Sequence, residues 1–346
     1  MPTRYLHLGS FLLVFIFSKL TLAQTEPQPS QFYASSIYLN PAMSGLEHNF
    51  AIGGLYRTQW QGVTPYQLAL INAIIPYHDK GEKNYHKGGF GVNVWNASAG
   101  NGNLNSLGAS LNGAYNLHIA ASTAQNLTFG LQIGFIQKQI SNLNNYQYGS
   151  QYDPTKPDGF GSGASTPDAN LSSVPPKIVP EISAGVLYYY NAGRDIYAPG
   201  ISAYIGFVAA NINQPNDAFL SGQKGKIPLV FKLHGGIEVH VAKRLNMSPN
   251  FLFTMSKVNF AMAGLNFTYL FPDHDDFIKP TRVLFGGAYR FGDAVVGQVG
   301  FGSKYYNLGF SYDLGFGGIS QVYGKASVSY THLRAHETKA NLVCRL

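Results

Sequence analysis

Cysteine is almost missing from this chain: Cys344 is the only one, so no intrachain disulfide can form. Charge is scarce as well. Asp, Glu, Lys and Arg make up 12% of the 346 residues, about half the share of roughly 25% in an ordinary soluble domain. That argues against a fully water-facing surface. The apolar run Phe11–Phe17 falls far short of the roughly 20 residues a spanning helix needs, and no other segment is long and apolar enough. The net charge of +7 is scattered, with no basic helix or stripe, so nucleic-acid binding is not expected.

Signatures of catalysis and ligand chemistry are also wanting. There is no Gly-x-Ser-x-Gly elbow and no His-Glu-x-x-His pair, and Gly315-Phe316-Gly317-Gly318 precedes no helix that would cradle a phosphate. Asp273-His274-Asp275-Asp276 clusters oxygens but lacks the spaced ligands and central glycine of a calcium loop, and reads as a solvated turn. His78 and His86 flank a Lys/Gly-rich turn. His234 and His240 share one strand face but lie six residues apart, about 20 Å, too far to hold one metal. No catalytic residue, metal or cofactor is expected.

What the chain does have is alternation. In Asn307–Gly315, Leu308, Phe310, Tyr312 and Leu314 point one way and Asn307, Gly309, Ser311 and Asp313 the other. Thirteen such segments lie near 49–57, 66–76, 88–98, 107–120, 126–139, 179–190, 200–210, 228–241, 245–257, 259–271, 281–290, 293–303 and 305–315. In the eighth, Leu229, Phe231, Leu233, Ile237, Val239 and Val241 oppose Lys232, His234, Glu238 and His240, which suits lipid on one face and a polar lumen on the other. Lengths of 9–14 residues exceed the 5–6 typical of globular strands. Aromatics at 14%, with 23 tyrosines and 23 phenylalanines, suit interfacial girdles. The fold expected is all-β: a transmembrane antiparallel barrel of about 14 strands in the outer membrane, since bacterial barrels have even counts.

Arg4, the Phe11–Phe17 run and Thr21-Leu22-Ala23 make an export signal over 1–23. A lead-in follows over 24–48, then the barrel over 49–326. From Ser327 to Leu346 alternation stops, Arg334, His336, Glu337 and Lys339 crowd together, and no terminal aromatic appears. This stretch reads as a non-native tail like translated adapter sequence, and the native last strand is expected to be missing from about Ser327.

Specific residues then suggest a family. Gln31-Phe32-Tyr33-Ala34 and Leu39-Asn40-Pro41-Ala42-Met43-Ser44-Gly45 resemble the opening of the PorP/SprF family of type IX secretion and gliding-motility outer-membrane proteins of Bacteroidetes. Further resemblances follow in the family's order: Tyr56-Arg57-Thr58-Gln59-Trp60, Pro180–Gly185 with Tyr188-Tyr189-Tyr190, Asn211–Pro215, His234-Gly235-Gly236 and Ser311-Tyr312-Asp313. Met43-Ser44 departs from the family's Ala/Tyr pair, and its closing strand is not found after Gly324. The resemblance implies a non-enzymatic component that supports secretion or surface anchoring of a large client such as an adhesin. It also implies a periplasmic peptidoglycan-binding lipoprotein or another secretion component as partner, with outer-membrane lipid around the barrel. A pore for small solutes is the alternative. From physics alone, Asn40-Pro41 and Gly45 are equally compatible with a segment folded back into the barrel mouth or lumen and with an ordinary lead-in turn.

Strand parity, with the first strand rising from the periplasm, places the longest connection (about 140 to 178) and the next (Asn211 to Lys226) outside the cell. Long outer loops and short inner turns are the rule for such barrels.

Overall fold

The computed structural model describes residues 29–59, 66–78, 86–100, 104–119, 125–140, 175–191, 200–219, 222, 225–272, 279–303, 305–316 and 327–336. Two short 3-10 helices, Phe32–Tyr38 and Pro41–Gly45, precede the strands. Fourteen strands follow: β1 (Ala51–Gln59), β2 (Tyr66–His78), β3 (His86–Ala99), β4 (Leu104–His118), β5 (Gln125–Ile140), β6 (Lys177–Asn191) and β7 (Ile201–Ala210). The second half comprises β8 (Val230–Ala242), β9 (Leu245–Met255), β10 (Phe260–Leu270), β11 (Arg282–Arg290), β12 (Ala294–Gly302), β13 (Tyr306–Gly315) and β14 (Ser327–His336). They pair in chain order and close into a barrel. The rim where β1 begins is called the near rim and the opposite one the far rim.

All thirteen expected strands are present. The fourteenth place in the wall, where the native last strand was expected to be missing or replaced from about Ser327, is filled by Ser327–His336, so only the expectation that this stretch forms no strand is corrected. It pairs antiparallel with both neighbours, Ser329 standing beside Thr58 of β1 and Tyr312 of β13. The reason is backbone satisfaction. Two open edges in hydrocarbon would leave rows of N–H and C=O groups unpaired at several kcal/mol each, and ladder bonds form whatever the side chains are. Alternation of side chains was the wrong signal for this one strand.

Elsewhere alternation reports the wall faithfully. In β12 the inward Ala294, Val296 and Gln298 are buried while Val295, Val299 and Phe301 are exposed on the outside. In β13 Ser311 and Asp313 face in, and Phe310, Tyr312 and Leu314 face out. Apolar side chains that water would penalise are here turned to acyl chains. Aromatic contacts mark both ends of this band: Tyr77–Phe90 and Tyr269–Phe271 at the near rim, Tyr289–Phe291 and Tyr289–Phe316 at the far rim. Such amphipathic rings favour the headgroup level.

The lumen departs from a uniformly polar lining. Lys232 and His234 do face in and are buried, but so do Leu55, Leu68, Leu70, Ile74, Leu187 and Leu252. These inward apolar groups have something to pack on, because the lead-in lies inside the barrel. Phe32, Ile37, Leu39, Ala42, Met43 and Leu46 form one core with Ile74, Leu187, Tyr204, Leu252 and Met262 of the wall. The first of the two lead-in arrangements is the one adopted.

Candidate functional site

Among the described residues, chain chemistry, burial and wall geometry converge on the lead-in. Asn40 caps the second 3-10 helix: extended at φ -148, its Oδ1 accepts from Ala42 N at 2.9 Å, and Pro41 follows in the first helical turn, where no N–H is needed. With Oδ1 engaged, Nδ2 is aimed at the wall. It donates to Val186 O of β6 at 3.2 Å and meets His234 Nε2 of β8 at 3.0 Å. An amide nitrogen only donates, so His234 Nε2 accepts and the ring carries its hydrogen on Nδ1. Asn40 thus ties the lead-in to two strands 146 and 194 residues away.

The wall is cut to admit this backbone. Gly130 of β5, Gly185 of β6, Gly206 of β7 and Gly89 of β3 occupy inward positions where a Cβ would strike the lead-in. It would sit 2.5 Å from Ala42 Cα at Gly130, 3.0 Å from Asn40 Cγ at Gly185 and 2.8 Å from Asn40 Nδ2 at Gly206. At Gly89 it would sit 3.1 Å from the Ser44 carbonyl carbon. Gly45 ends the motif under the same constraint: a Cβ there would sit 2.6 Å from Asn116 Oδ1 and 2.7 Å from Thr128 Cγ2. Its carbonyl accepts from Asn116 Nδ2 at 2.7 Å, and Thr128 Oγ1 donates to Asn116 Oδ1 at 2.7 Å.

A second set of polar contacts holds the amino side of the lead-in. Asp313 Oδ2 accepts from Ser30 Oγ at 2.5 Å and from Arg290 Nη1 at 2.9 Å, and Arg290 also reaches Ser30 Oγ at 3.2 Å. Asp313 is fully buried, so its charge requires the guanidinium beside it. Arg290 Nε meets Asp293 in the following turn at 2.5 Å. Farther along, Tyr33 OH donates to Gln298 Oε1 at 2.9 Å and Gln298 Nε2 donates to Asn266 Oδ1 at 2.6 Å. Tyr38 packs edge-on against Trp95 and lies under Lys232 Nζ, 5.5 Å from the ring centre.

Of the residues singled out by resemblance, the structure places Leu39, Asn40, Pro41, Ala42, Gly45 and Asp313 inside the lumen, with Asp313 toward the far end and Gly45 toward the near end. Ser311 and Arg57 also face inward. Arg57 donates to Gln59 Oε1 at 2.6 Å and covers the Tyr66 ring. Tyr56 and Tyr312 do not join them, being on the outer wall. Trp60, Asp273–Asp276 and most of the 140–178 connection lie outside the described residues. Asn211–Pro215 has a local role. β6 pairs with β7 from Ala184 onward, and the preceding stretch of β6 is met by this turn. Ile212 N donates to Ile182 O, Asn213 Nδ2 donates to Pro180 O and Asn213 Oδ1 accepts from Ile182 N. His240 bonds Asn246, separately from His234. Sequence reasoning missed Ser30, Arg290, Asn116 and the glycine track. Glycines at inward positions of otherwise regular alternation, such as Gly130 and Gly206, are the signal that could have found it.

A closed fourteen-stranded barrel with an apolar outer wall and aromatic bands defines an outer-membrane β-barrel protein. The family described as "Type IX secretion system membrane protein PorP/SprF" matches residues 21–330, and the chain belongs to that family. Among solved structures the chain is similar to the KdgM porin in complex with disordered oligogalacturonate, at 8% identity and TM-score 0.36, covering 83% of this chain and 99% of that one. It is also similar to the Ralstonia pickettii toluene transporter TbuX, at 12% identity and TM-score 0.45, covering 88% and 93%. A third similar structure is BamA from Haemophilus ducreyi lacking POTRA domains 1-3, at 11% identity and TM-score 0.41, covering 82% and 70%. A search of the curated proteins found no match.

Proposed function

We propose that this barrel is a closed, non-catalytic anchor of the type IX secretion machinery, holding a large secreted client such as an adhesin at the cell surface. The observation that supports this reading is the filled lumen. Ala42 and Asn40 sit against wall positions too tight for a methyl group, and Phe32 and Ile37 are fully buried. A solute pore needs an open water path, and family membership points to a secretion role rather than to small-molecule uptake. In this reading the far-rim connections, above all 141–174, hold the client. Their Asn, Tyr, Gly and Ser content gives an adaptable surface. The near-rim turns face the periplasm and touch a secretion component or peptidoglycan-binding lipoprotein.

Deleting 141–174 tests the reading. The variant is expected to remain heat-modifiable in gels and to lose surface display of its client. Unchanged display places client recognition elsewhere and overturns the assignment of the far-rim loops. High ohmic conductance of the intact protein in a planar bilayer overturns the closed anchor and favours the solute pore.

A further inference from the structure

We propose that the lead-in threads the whole barrel, so that the mature amino terminus is displayed at the far rim, the rim from which the β5–β6 and β7–β8 connections also leave the strands. The β1 strand it feeds begins at the opposite rim. The proposal stands on the contacts that hold the two ends of the lead-in and is independent of the secretion role. Ser30 is bonded to Asp313, two residues from the far end of β13, and to Arg290, the last residue of β11. Arg290 in turn holds Asp293 in the far-rim turn. Gln31 lies lower, against Gly309, and Tyr33 bonds Gln298 in the middle of β12. Asn40 and Ala42 lie at Gly185 and Gly130, Ser44 at Gly89, and Gly45 at Asn116 close to the near-rim end of β4. Ala51 then opens β1. The lead-in thus runs from the far rim, where Ser30 is held, to the near rim, where Gly45 meets Asn116, with the Tyr38 ring reaching back to Trp95 and Lys232 in the far halves of β3 and β8.

Chain length excludes a return. With the signal removed before Gln24, six residues precede Ser30 and reach about 20–22 Å when fully extended. From Asp313 to Tyr306 at the near end of β13 is seven residues, about 24 Å at a strand rise of about 3.4 Å. The intervening lumen is already filled by Phe32, Tyr33 and Ile37. The far rim needs only the span of Leu314 and Gly315. The buried Arg290–Asp313 pair is the clasp that fixes the amino end there, which gives the family-motif aspartate a positioning role.

The test is accessibility of single cysteines in the full-length Cys344→Ser protein in intact cells, using a membrane-impermeant maleimide. Thr25→Cys reports the amino end, Ser162→Cys the β5–β6 connection and Gly193→Cys the β6–β7 connection at the other rim. Thr25→Cys is expected to label as Ser162→Cys does, on whichever side of the membrane that is, and unlike Gly193→Cys. Labelling that follows Gly193→Cys overturns the proposal. So does a cysteine at position 25 sealed from both sides, or a mature chain found by mass spectrometry to begin well before Gln24.

Discussion

Asn40→Ala strikes the lead-in at its best-connected point, and its cost can be worked from the contacts. The substitution removes the cap on Ala42 N, the bond to Val186 O and the bond to His234 Nε2. A lost cap costs about 0.5–2 kcal/mol, and each buried partner left unsatisfied adds roughly 1–3 kcal/mol. Allowing for non-additivity, docking of the lead-in is weakened by about 3–5 kcal/mol, at least a hundredfold in its equilibrium. The barrel wall is untouched, since its strands pair with one another. Planar-bilayer recordings should therefore show a quiet wild-type protein, frequent openings in Asn40→Ala, and a steadily open channel once 30–46 are deleted. Heat-modifiable migration should persist in all three. An Asn40→Ala trace as quiet as wild type, beside an open deletion variant, would refute the assignment of Asn40 as the principal tie.

Gly130→Val should expel the lead-in more completely than Asn40→Ala, because the clash is with Ala42 backbone; protease sensitivity of the lead-in in detergent reads this directly. Arg290→Met leaves Asp313 buried without its cation and should lower unfolding stability by about 3–5 kcal/mol, while Arg290→Met with Asp313→Leu should recover much of the loss; a gel-shift urea titration compares them. Val299→Lys, on the outer wall at mid-strand, should cost roughly 2–4 kcal/mol in bilayers and far less in detergent, whereas a residue misassigned to the lumen would show no such difference. Resequencing the locus checks whether the twenty codons from Ser327 are native; confirmation before a genuine stop would end the adapter interpretation while leaving β14 as a paired strand.

The wall was legible in the sequence because burial on the two faces of a membrane strand follows side-chain type residue by residue. Val295, Val299 and Phe301 could face nothing but lipid once Gln298 faced in. The closing strand was not legible, because backbone pairing at an obligatory seam does not need alternation. The lumen was half legible. Asn40-Pro41 announced a bend at the right place, and the resemblance drew attention to Asp313. Neither could reveal that Asn40 meets His234 across 194 residues or that Asp313 clasps Ser30 across 283. Those contacts depend on which strands curl to face one another, a property of barrel closure rather than of any local segment. Tyr56 and Tyr312 show the converse: they match the family's motifs yet stand on the outer wall.

Occupation of the lumen by the lead-in is the claim on which the rest depends, and a photo-crosslinker at position 33 tests it most directly. With Tyr33 replaced by benzoylphenylalanine in the full chain, illumination should join the lead-in to β12 or β10 of the same molecule, near Gln298 and Asn266. Mass spectrometry of the heat-modifiable folded band identifies the linked peptides. Crosslinks to those strands are the predicted result. A folded barrel whose position 33 links only to another protein, or to no barrel strand, would contradict the account.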